Sequence, residues 1–368
     1  MRFPGFEGEW EKHTLGEVGE PYIGLTYSPA DVVSEGGVIV FRSSNIQNGE
    51  IDYSDIVRVE KRIKDTLRTR KDDLLICARN GSPRLIGKNA LLGEEDANQT
   101  FGAFMLVFRS KDNHFIHQLL STKSYYSQVS ENLGARINQI TTANIKDFEF
   151  SFPVSKSERD KIASLLDMID QRISIQSRVI ERYESLIKAL RHHVFSNINP
   201  VVEVCISDIL SYEQPTKYIV TDTEYSDNKD LTPVLTANKA FILGYTDERE
   251  GVYSKGPCII LDDFTLDCKI VDFPFKVKSS AIKILTTKTS VNLWYIYEYL
   301  KYLDLNTEEH KRHYIAEIEP MTIELPGKVE IDATANMFCT LDSHKKLAER
   351  DLELLKAEKA FYLSTLFI

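Results

Sequence analysis

Apolar and polar positions alternate along residues 145–153 (Ile-Lys-Asp-Phe-Glu-Phe-Ser-Phe-Pro) and again along 318–326 (Ile-Glu-Pro-Met-Thr-Ile-Glu-Leu-Pro). In both, an apolar start is followed by three apolar residues at every second position and then by a proline. Period two marks a half-buried strand. Proline ends it, because its nitrogen has no hydrogen for a sheet ladder. Beyond each proline the period lengthens. Ile162, Leu165, Leu166, Ile169, Ile173, Ile180, Tyr183, Leu186, Ile187 and Leu190 recur at spacings that keep one stripe on one helical face. They predict a helix over about 156–195, with Ser157 as N-cap and Asp160 as a first-turn acid. Phe338, Leu341, Ala348, Leu352, Leu355, Tyr362 and Leu366 predict a second helix over about 332–367. Each would be roughly 50–60 Å long at ~1.5 Å per residue. A lone helix of that length cannot bury its own stripe, whereas two can bury each other as an antiparallel coiled coil.

What precedes each helix also repeats. In the first half, strands are predicted at 38–41, 73–78 and 101–108 and a helix at 113–128. The first strand leads into Arg42-Ser43-Ser44-Asn45-Ile46, and the second into Arg79-Asn80-Gly81-Ser82-Pro83-Arg84. In the second half, strands at 233–235, 257–261 and 281–285 precede a helix at 291–303. Here the loops are Thr236-Ala237-Asn238-Lys239 and Asp262-Asp263-Phe264-Thr265. The predicted fold is α+β: two pseudo-symmetric globular domains joined by two long antiparallel coiled-coil helices. The expected boundaries are 1–155 for the first domain, 156–197 for the first spacer helix, 198–330 for the second domain and 331–368 for the second spacer helix. Residues 196–204 form the expected joint.

Composition adds three restrictions. The chain has 368 residues, 42% of them hydrophobic and 27% charged, which suits two or three folded domains. No apolar run approaches the ~18 residues needed to cross a bilayer, and the start carries no apolar signal core, so a cytoplasmic protein is expected. The five cysteines (77, 205, 258, 268 and 339) lack Cys-x-x-Cys spacing and are expected to be reduced, mostly buried thiols rather than a disulfide framework or zinc site.

The net charge of −10 argues at first against nucleic acid. Its distribution changes that picture. Residues 61–90 hold nine Lys/Arg against three acids, and residues 275–288 hold Lys276, Lys278, Lys283 and Lys288 with no acid. Both stretches are candidate basic faces for phosphate.

With these words in this order, the chain resembles the specificity subunits of type I restriction-modification enzymes. The resemblance is carried by Val40-Phe41-Arg42-Ser43-Ser44-Asn45-Ile46, by 73–81 and Gly87-Lys88-Asn89, and by the helix beginning Ser157-Glu158-Arg159-Asp160. In the second half it is carried by 233–239 and 257–267. It implies two target recognition domains that each read a few base pairs through the major groove. The helical rod would act as a ruler for the gap between half-sites, since DNA repeats every ~34 Å. Because the domains differ in sequence, the implied double-stranded target is asymmetric and bipartite. The chain would be a non-catalytic subunit directing adenine methylation or restriction. Catalysis would lie in partners: methylation subunits, expected to be two, and restriction subunits. S-adenosylmethionine, ATP and magnesium would bind to those partners, with no cofactor or metal on this chain.

Other chemistry finds less support. Residues 81–89 (Gly-Ser-Pro-Arg-Leu-Ile-Gly-Lys-Asn) resemble a phosphate loop, but five residues separate the glycines and Asn89 stands where Ser or Thr would hold magnesium. Asp262, Asp267 and Lys269 resemble part of a nuclease centre without a second acidic cluster. His310 and His313 have helical spacing for a metal but no third ligand. His114 and His117 read as surface or core residues, and His192-His193 as positive charge at a helix C-terminus. No methyltransferase motif is present.

Arg pairs with the O6 and N7 of guanine, and Asn or Gln with adenine. On that chemistry the candidate DNA contacts in the first domain are Arg42, Ser44, Asn45, Arg79, Asn80, Arg84, Lys88, Arg136, Asn138 and Gln139. In the second they are Asn238, Lys239, Lys278, Ser279, Ser280, Lys311 and Arg312. The competing readings are a stand-alone nuclease or methyltransferase, which needs a catalytic cluster, and a coiled-coil scaffold with no DNA role.

Overall fold

The computed structural model describes residues 2–133, 138–236, 241–305 and 311–367. The chain divides into two compact units, Met1–Arg178 with Arg350–Ile368, and Val179–Glu349.

The first unit contains strands β1 (Glu11–Thr14), β2 (Gly19–Ile23), β3 (Val38–Phe41), β4 (Val57–Val59), β5 (Leu74–Cys77), β6 (Asn89–Leu91), β7 (Thr100–Phe101), β8 (Met105–Ser110) and β9 (Glu149–Phe152). Its helices are α1 (Leu15–Val18), α2 (Asn113–Leu119), α3 (Lys123–Glu131), α4 (Thr142–Asp147) and the N-terminal part of α5 (Lys156–Phe195). The main sheet has the order β2-β8-β5-β6 and is antiparallel. All four residues of β5 are buried, so it reads as a continuous apolar run rather than an alternating one. A second sheet joins β7, β3, β4 and Val32–Val33, with β7 and β3 parallel. β1 pairs with β9.

The second unit repeats this plan. Its strands are β10 (Val202–Cys205), β11 (Leu210–Glu213), β12 (Thr232–Leu235), β13 (Ile242–Thr246), β14 (Cys258–Asp262), β15 (Cys268–Val271), β16 (Lys276–Val277), β17 (Ile282–Thr287) and β18 (Thr322–Leu325). Its helices include α6 (Ile206–Ile209), α7 (Leu293–Tyr302) and part of α8 (Lys328–Leu366). The main sheet is β11-β17-β14-β15, the second is β13-β12-β16 with β12 and β16 parallel, and β10 pairs with β18. Every sheet of the first unit except a short hairpin thus has a counterpart in the same chain order. α1 and α6 hold the same place after the first strand.

The two strand-proline signatures are β9 before Pro153 and β18 before Pro326. The long helices follow, with two adjustments at their starts. The carbonyl of Ser155 accepts the amides of Glu158 and Arg159, both at 3.2 Å, so the N-cap is Ser155 and Ser157 lies in the first turn. α8 begins at Lys328 rather than near 332, because the Gly327 carbonyl already accepts from Glu330 (3.0 Å) and Ile331 (3.1 Å). The added turn buries Ile331.

Within the first unit Ile162, Ala163, Leu166 and Ile169 share a core with Leu366, and Lys359 Nζ lies 2.6 Å from Asp170. Within the second, Phe195 stacks on Phe338 (centroids 6.2 Å apart) and Lys345 pairs with Glu184 at 3.0 Å. In each unit the pairing of the helix segments runs antiparallel.

Other expectations change. The helix expected at 113–128 is two, broken at 120–122, where the Thr122 hydroxyl accepts the Tyr125 amide and caps α3. Of the expected joint 196–204, residues from Val202 onward form β10. The basic face expected at 275–288 is half internal: Lys276 pairs with Glu248 at 2.6 Å, and Lys283 is buried against Asp263 at 3.4 Å and the Tyr212 ring. A lysine on an inward strand position must find an anion, because an unpaired buried charge is costly. The thiols of Cys77, Cys258 and Cys268 are buried, and burial pushes them up to about 11, 12 and 12, so they are protonated and inert at neutral pH. No helix among the described residues is long and apolar enough to cross a membrane.

Candidate nucleic-acid interface

The central strand of each main sheet ends in a loop, and backbone hydrogen bonds tie that loop to two distant segments. In the first unit the Ala78 amide donates to Phe104 O (2.9 Å), and the Ile140 amide donates to Ala78 O (2.9 Å). In the second, the Asp263 amide donates to Ala281 O (2.9 Å), and the His313 amide donates to Asp263 O (3.0 Å). The shared pattern aligns Arg79 with Phe264, Gln139 with Arg312, and Asn138 with Lys311. The parallel strand pairs add a third segment: Gly102 donates to Phe41 O and Lys278 to Leu235 O, both at 2.9 Å, which aligns Arg42 with Thr236.

The predicted loops 42–46 and 79–84 of the first unit therefore meet the segment that carries the candidates Asn138 and Gln139. Asn80 Nδ2 donates to Ser43 Oγ (2.9 Å), the Asn80 amide donates to Asn138 O (3.3 Å), and Asn138 Nδ2 donates to Gly81 O (3.0 Å). Arg79 and Gln139 form an antiparallel bridge. The Arg79 guanidinium lies over the ring of Phe104, 4.9 Å from its centroid, and both side chains are exposed. Arg84 is exposed and Lys88 half-exposed. Neither side chain makes a hydrogen bond or ion pair with the described residues.

Some candidates are engaged in holding the loops. Asn45 is fully buried: its Oδ1 accepts the Arg42 amide (2.9 Å), and its Nδ2 donates to the carbonyls of Asp52 (3.0 Å) and Asp55 (2.8 Å). It has no hydrogen-bonding edge left for a base, which corrects its assignment as a contact. Arg42 is drawn to Asp55 at 2.8 Å. The Ser44 hydroxyl is buried without a hydrogen-bond partner among the described residues. Arg136 lies outside the described residues.

In the second unit, Lys278 and Ser279 are exposed, and Ser280 Oγ accepts from Arg312 Nη2 at 3.2 Å. The Arg312 guanidinium faces the Phe264 ring at 5.9 Å. Lys311 pairs with Glu317 at 3.1 Å. Asn238, Lys239 and His310 lie outside the described residues. Phe104 and Phe264, which face the two arginines, were not predicted as site residues. An aromatic between Gly102 and the start of a strand, in a turn where it cannot join a core, was the available signal.

The alternative chemistries meet occupied groups. Residues 81–89 lead into strand β6 and not into a helix, so no helix N-terminus faces that loop. Asp262 Oδ1 accepts the amides of Phe264 (2.8 Å) and Thr265 (3.2 Å), while Asp267 pairs with Lys301 at 2.8 Å. His313 is buried and bonded to Glu317 at 2.9 Å. His117, Asp167 and Asp170 offer ligand atoms within 4.8 Å of one another. However, Asp167 accepts from His114 (2.7 Å) and Gln118 (2.8 Å), and the Lys359 ammonium already sits on Asp170 where a metal ion would. Burial pushes His117 down to about 4, whereas the bond to Asp167 raises His114.

Comparison with known proteins identifies this arrangement. Residues 7–184 match the family model for the type I restriction modification DNA specificity domain. That match places the first half of the chain beside the type I restriction-modification specificity family. It is 46% identical over 127 residues to the specificity subunit of the type I restriction enzyme EcoR124I/EcoR124II of Escherichia coli, covering 33% of this chain and 31% of that one. It is 26% identical over 181 residues to the StySPI specificity subunit of Salmonella potsdam, covering 47% and 39%. The chain therefore spans less than half the length of these curated relatives. The crystal structure of a type I restriction-modification S subunit from M. genitalium has the same fold, with a TM-score of 0.72 at 18% identity over 100% of this chain and 97% of that one.

Proposed function

We propose that this chain is a member of the type I specificity family and the non-catalytic DNA-recognition subunit of a type I restriction-modification complex. It reads an asymmetric bipartite duplex target, one half-site per unit, and directs adenine methylation or restriction by its partners. The observation that carries this reading is the repeated loop cluster with different side chains at equivalent places: Arg79 against Phe264, Gln139 against Arg312, Asn138 against Lys311. One framework with two sets of readers suits two different half-sites. The direct readers are Arg79, Asn80, Asn138, Gln139, Lys278, Ser279, Ser280, Lys311 and Arg312, with Arg136, Asn238 and Lys239 on the adjoining segments. Arg84 and Lys88, whose side chains have no hydrogen bond or ion pair among the described residues, suit phosphates, which position a protein without specifying sequence.

The partners are double-stranded DNA, two methylation subunits and restriction subunits. S-adenosylmethionine, ATP and magnesium act on those subunits. Mapping adenine methylation across the genome in cells with and without this chain tests the reading. The expected result is loss of one bipartite motif when the chain is absent. An unchanged methylation pattern, or DNA cleavage or methyl transfer by the pure chain alone, would overturn it.

A further inference from the structure

Arg79 differs from Arg42 and Arg109 of the same unit, which are held by Asp55 and Asp73. The Arg79 side chain makes no hydrogen bond or ion pair among the described residues, and what fixes it is a ring face. The amides of Ala78 and Arg79 both donate to the Phe104 carbonyl, at 2.9 and 3.0 Å, so the two side chains leave a locked backbone. Stacking fixes the plane of the guanidinium while leaving its fork free, which lowers the ordering cost of a two-pronged bond.

Phe104 is 56% exposed, too open to contribute much to the core. A single exposed ring is ordinary on a protein surface, and what sets Phe104 apart is the arginine laid over it. The second unit pairs an arginine and a phenylalanine at the same corner with the donors exchanged. There the ring, Phe264, comes from the loop after the central strand, and the arginine, Arg312, from the segment equivalent to 138–140.

We propose that Arg79 and Phe104 together read a guanine–thymine step. The Arg79 fork takes O6 and N7 of the guanine, and the exposed ring of Phe104 takes the C5 methyl of the neighbouring thymine. Both groups lie in the major groove, and the methyl is the one apolar feature that groove offers. The inference rests on the DNA-recognition reading above and assigns its base chemistry.

The test uses the complex assembled with methylation subunits and duplexes carrying the target found by methylation mapping. Affinity is measured by fluorescence anisotropy. Replacing the guanine with 7-deazaguanine removes N7, and replacing the thymine with uracil removes only the methyl. The wild-type complex is expected to lose affinity for the uracil duplex by about fourfold. Arg79→Ala should erase a guanine preference of about 5- to 150-fold at one position. The deaza substitution should weaken the wild type but not Arg79→Ala, and the uracil substitution should weaken the wild type but not Phe104→Ala. Arg79→Lys keeps the charge without the fork and should also lose the preference. Phe104→Leu should retain part of the methyl effect. Unchanged selectivity at the other base pairs of the first-unit half-site shows that the first unit of each variant is folded.

A first-unit half-site lacking a guanine–thymine step, or a wild-type complex indifferent to both base analogues, overturns the proposal while leaving DNA recognition standing. A wild-type complex with no sequence preference overturns both.

Discussion

Replacing Asn45 with alanine separates a structural role from a base-reading one. The side chain makes three hydrogen bonds inside the loop that follows β3, one accepted from Arg42 and two donated to Asp52 and Asp55. In Asn45→Ala the Asp55 carbonyl keeps its bond from Arg42 Nη2 (3.1 Å), but the Arg42 amide and the Asp52 carbonyl lose their side-chain partner. At about 1–3 kcal/mol per buried unsatisfied group, with partial hydration, the net loss is about 2–4 kcal/mol. For a urea slope of ~2 kcal/mol/M this lowers the midpoint by about 1–2 M. The assay can be confined to one unit. Trp10 packs edge-on against Phe115 and Phe367 in the first unit, and Trp294 belongs to the second, so Trp10 fluorescence in a Trp294→Phe background reports the first unit alone. A midpoint unmoved within ~0.3 M, together with lost affinity for the target, would refute the reasoning and restore Asn45 as a base contact.

Three further outcomes follow from the charges. Arg191 Nε lies 2.7 Å from the buried Glu298 carboxylate, and removing it in Arg191→Met should cost the second unit about 3–5 kcal/mol at pH 7, followed by Trp294 in a Trp10→Phe background. Burial already holds the Glu298 carboxyl above its ordinary value. The folded state therefore binds this proton more tightly than the unfolded one, and the variant should regain stability as the pH falls from 7 towards 5. Stability that fails to recover would exclude an unpaired carboxylate as the cause. Glu248 has the opposite sign: the bond from Lys276, with those from the amides of Asp222 and Thr221, holds it at about 2. Its contribution is present above pH 4.5 and is lost as the pH falls towards 2. Glu248→Gln should lower stability at pH 7 by about 1–3 kcal/mol and flatten that acid limb in a pH series of melts. Arg84→Ala and Lys88→Ala should each reduce the slope of log affinity against log salt by about one, weakening all sequences alike. A loss confined to the cognate sequence would instead make either one a base reader.

Much of the architecture was legible because it rests on periodicity. β9, β18 and the two long helices announce themselves through a switch from period two to period three-four at a proline, twice in one chain. β1, β2, β10 and β11 did not, since each is short and lies at a sheet edge. β2 contains Gly19 and Pro21, and β1 has no apolar residue in Glu11–Thr14. Their places are set by distant partners, Phe150 and Phe152 for β1 and Leu106 and Phe108 for β2.

At the candidate interface, residue type identified the loops but not the task of each side chain. Asn45 and Asn80 look alike in sequence. One is sealed under the Asp52–Asp55 turn, whereas the other reaches across to Ser43 at a loop junction. Lys276 and Lys278 sit two apart, yet one is buried on Glu248 and the other is exposed. Which lysine faces inward depends on pairing across the sheet, and composition carries no trace of that. Phe104 escaped notice for the converse reason: an exposed phenylalanine matters only once the arginine above it is seen.

The central claim is that two unlike loop clusters on one framework each read their own half of a split target. Genome-wide adenine methylation in cells carrying Arg79→Ala, and separately Arg312→Ala, tests it directly. Each substitution should relax base preference in one half of the motif, a different half for each, with the other half and the gap unchanged. A single substitution that degrades both halves together, or a wild-type motif with no second half, would contradict it.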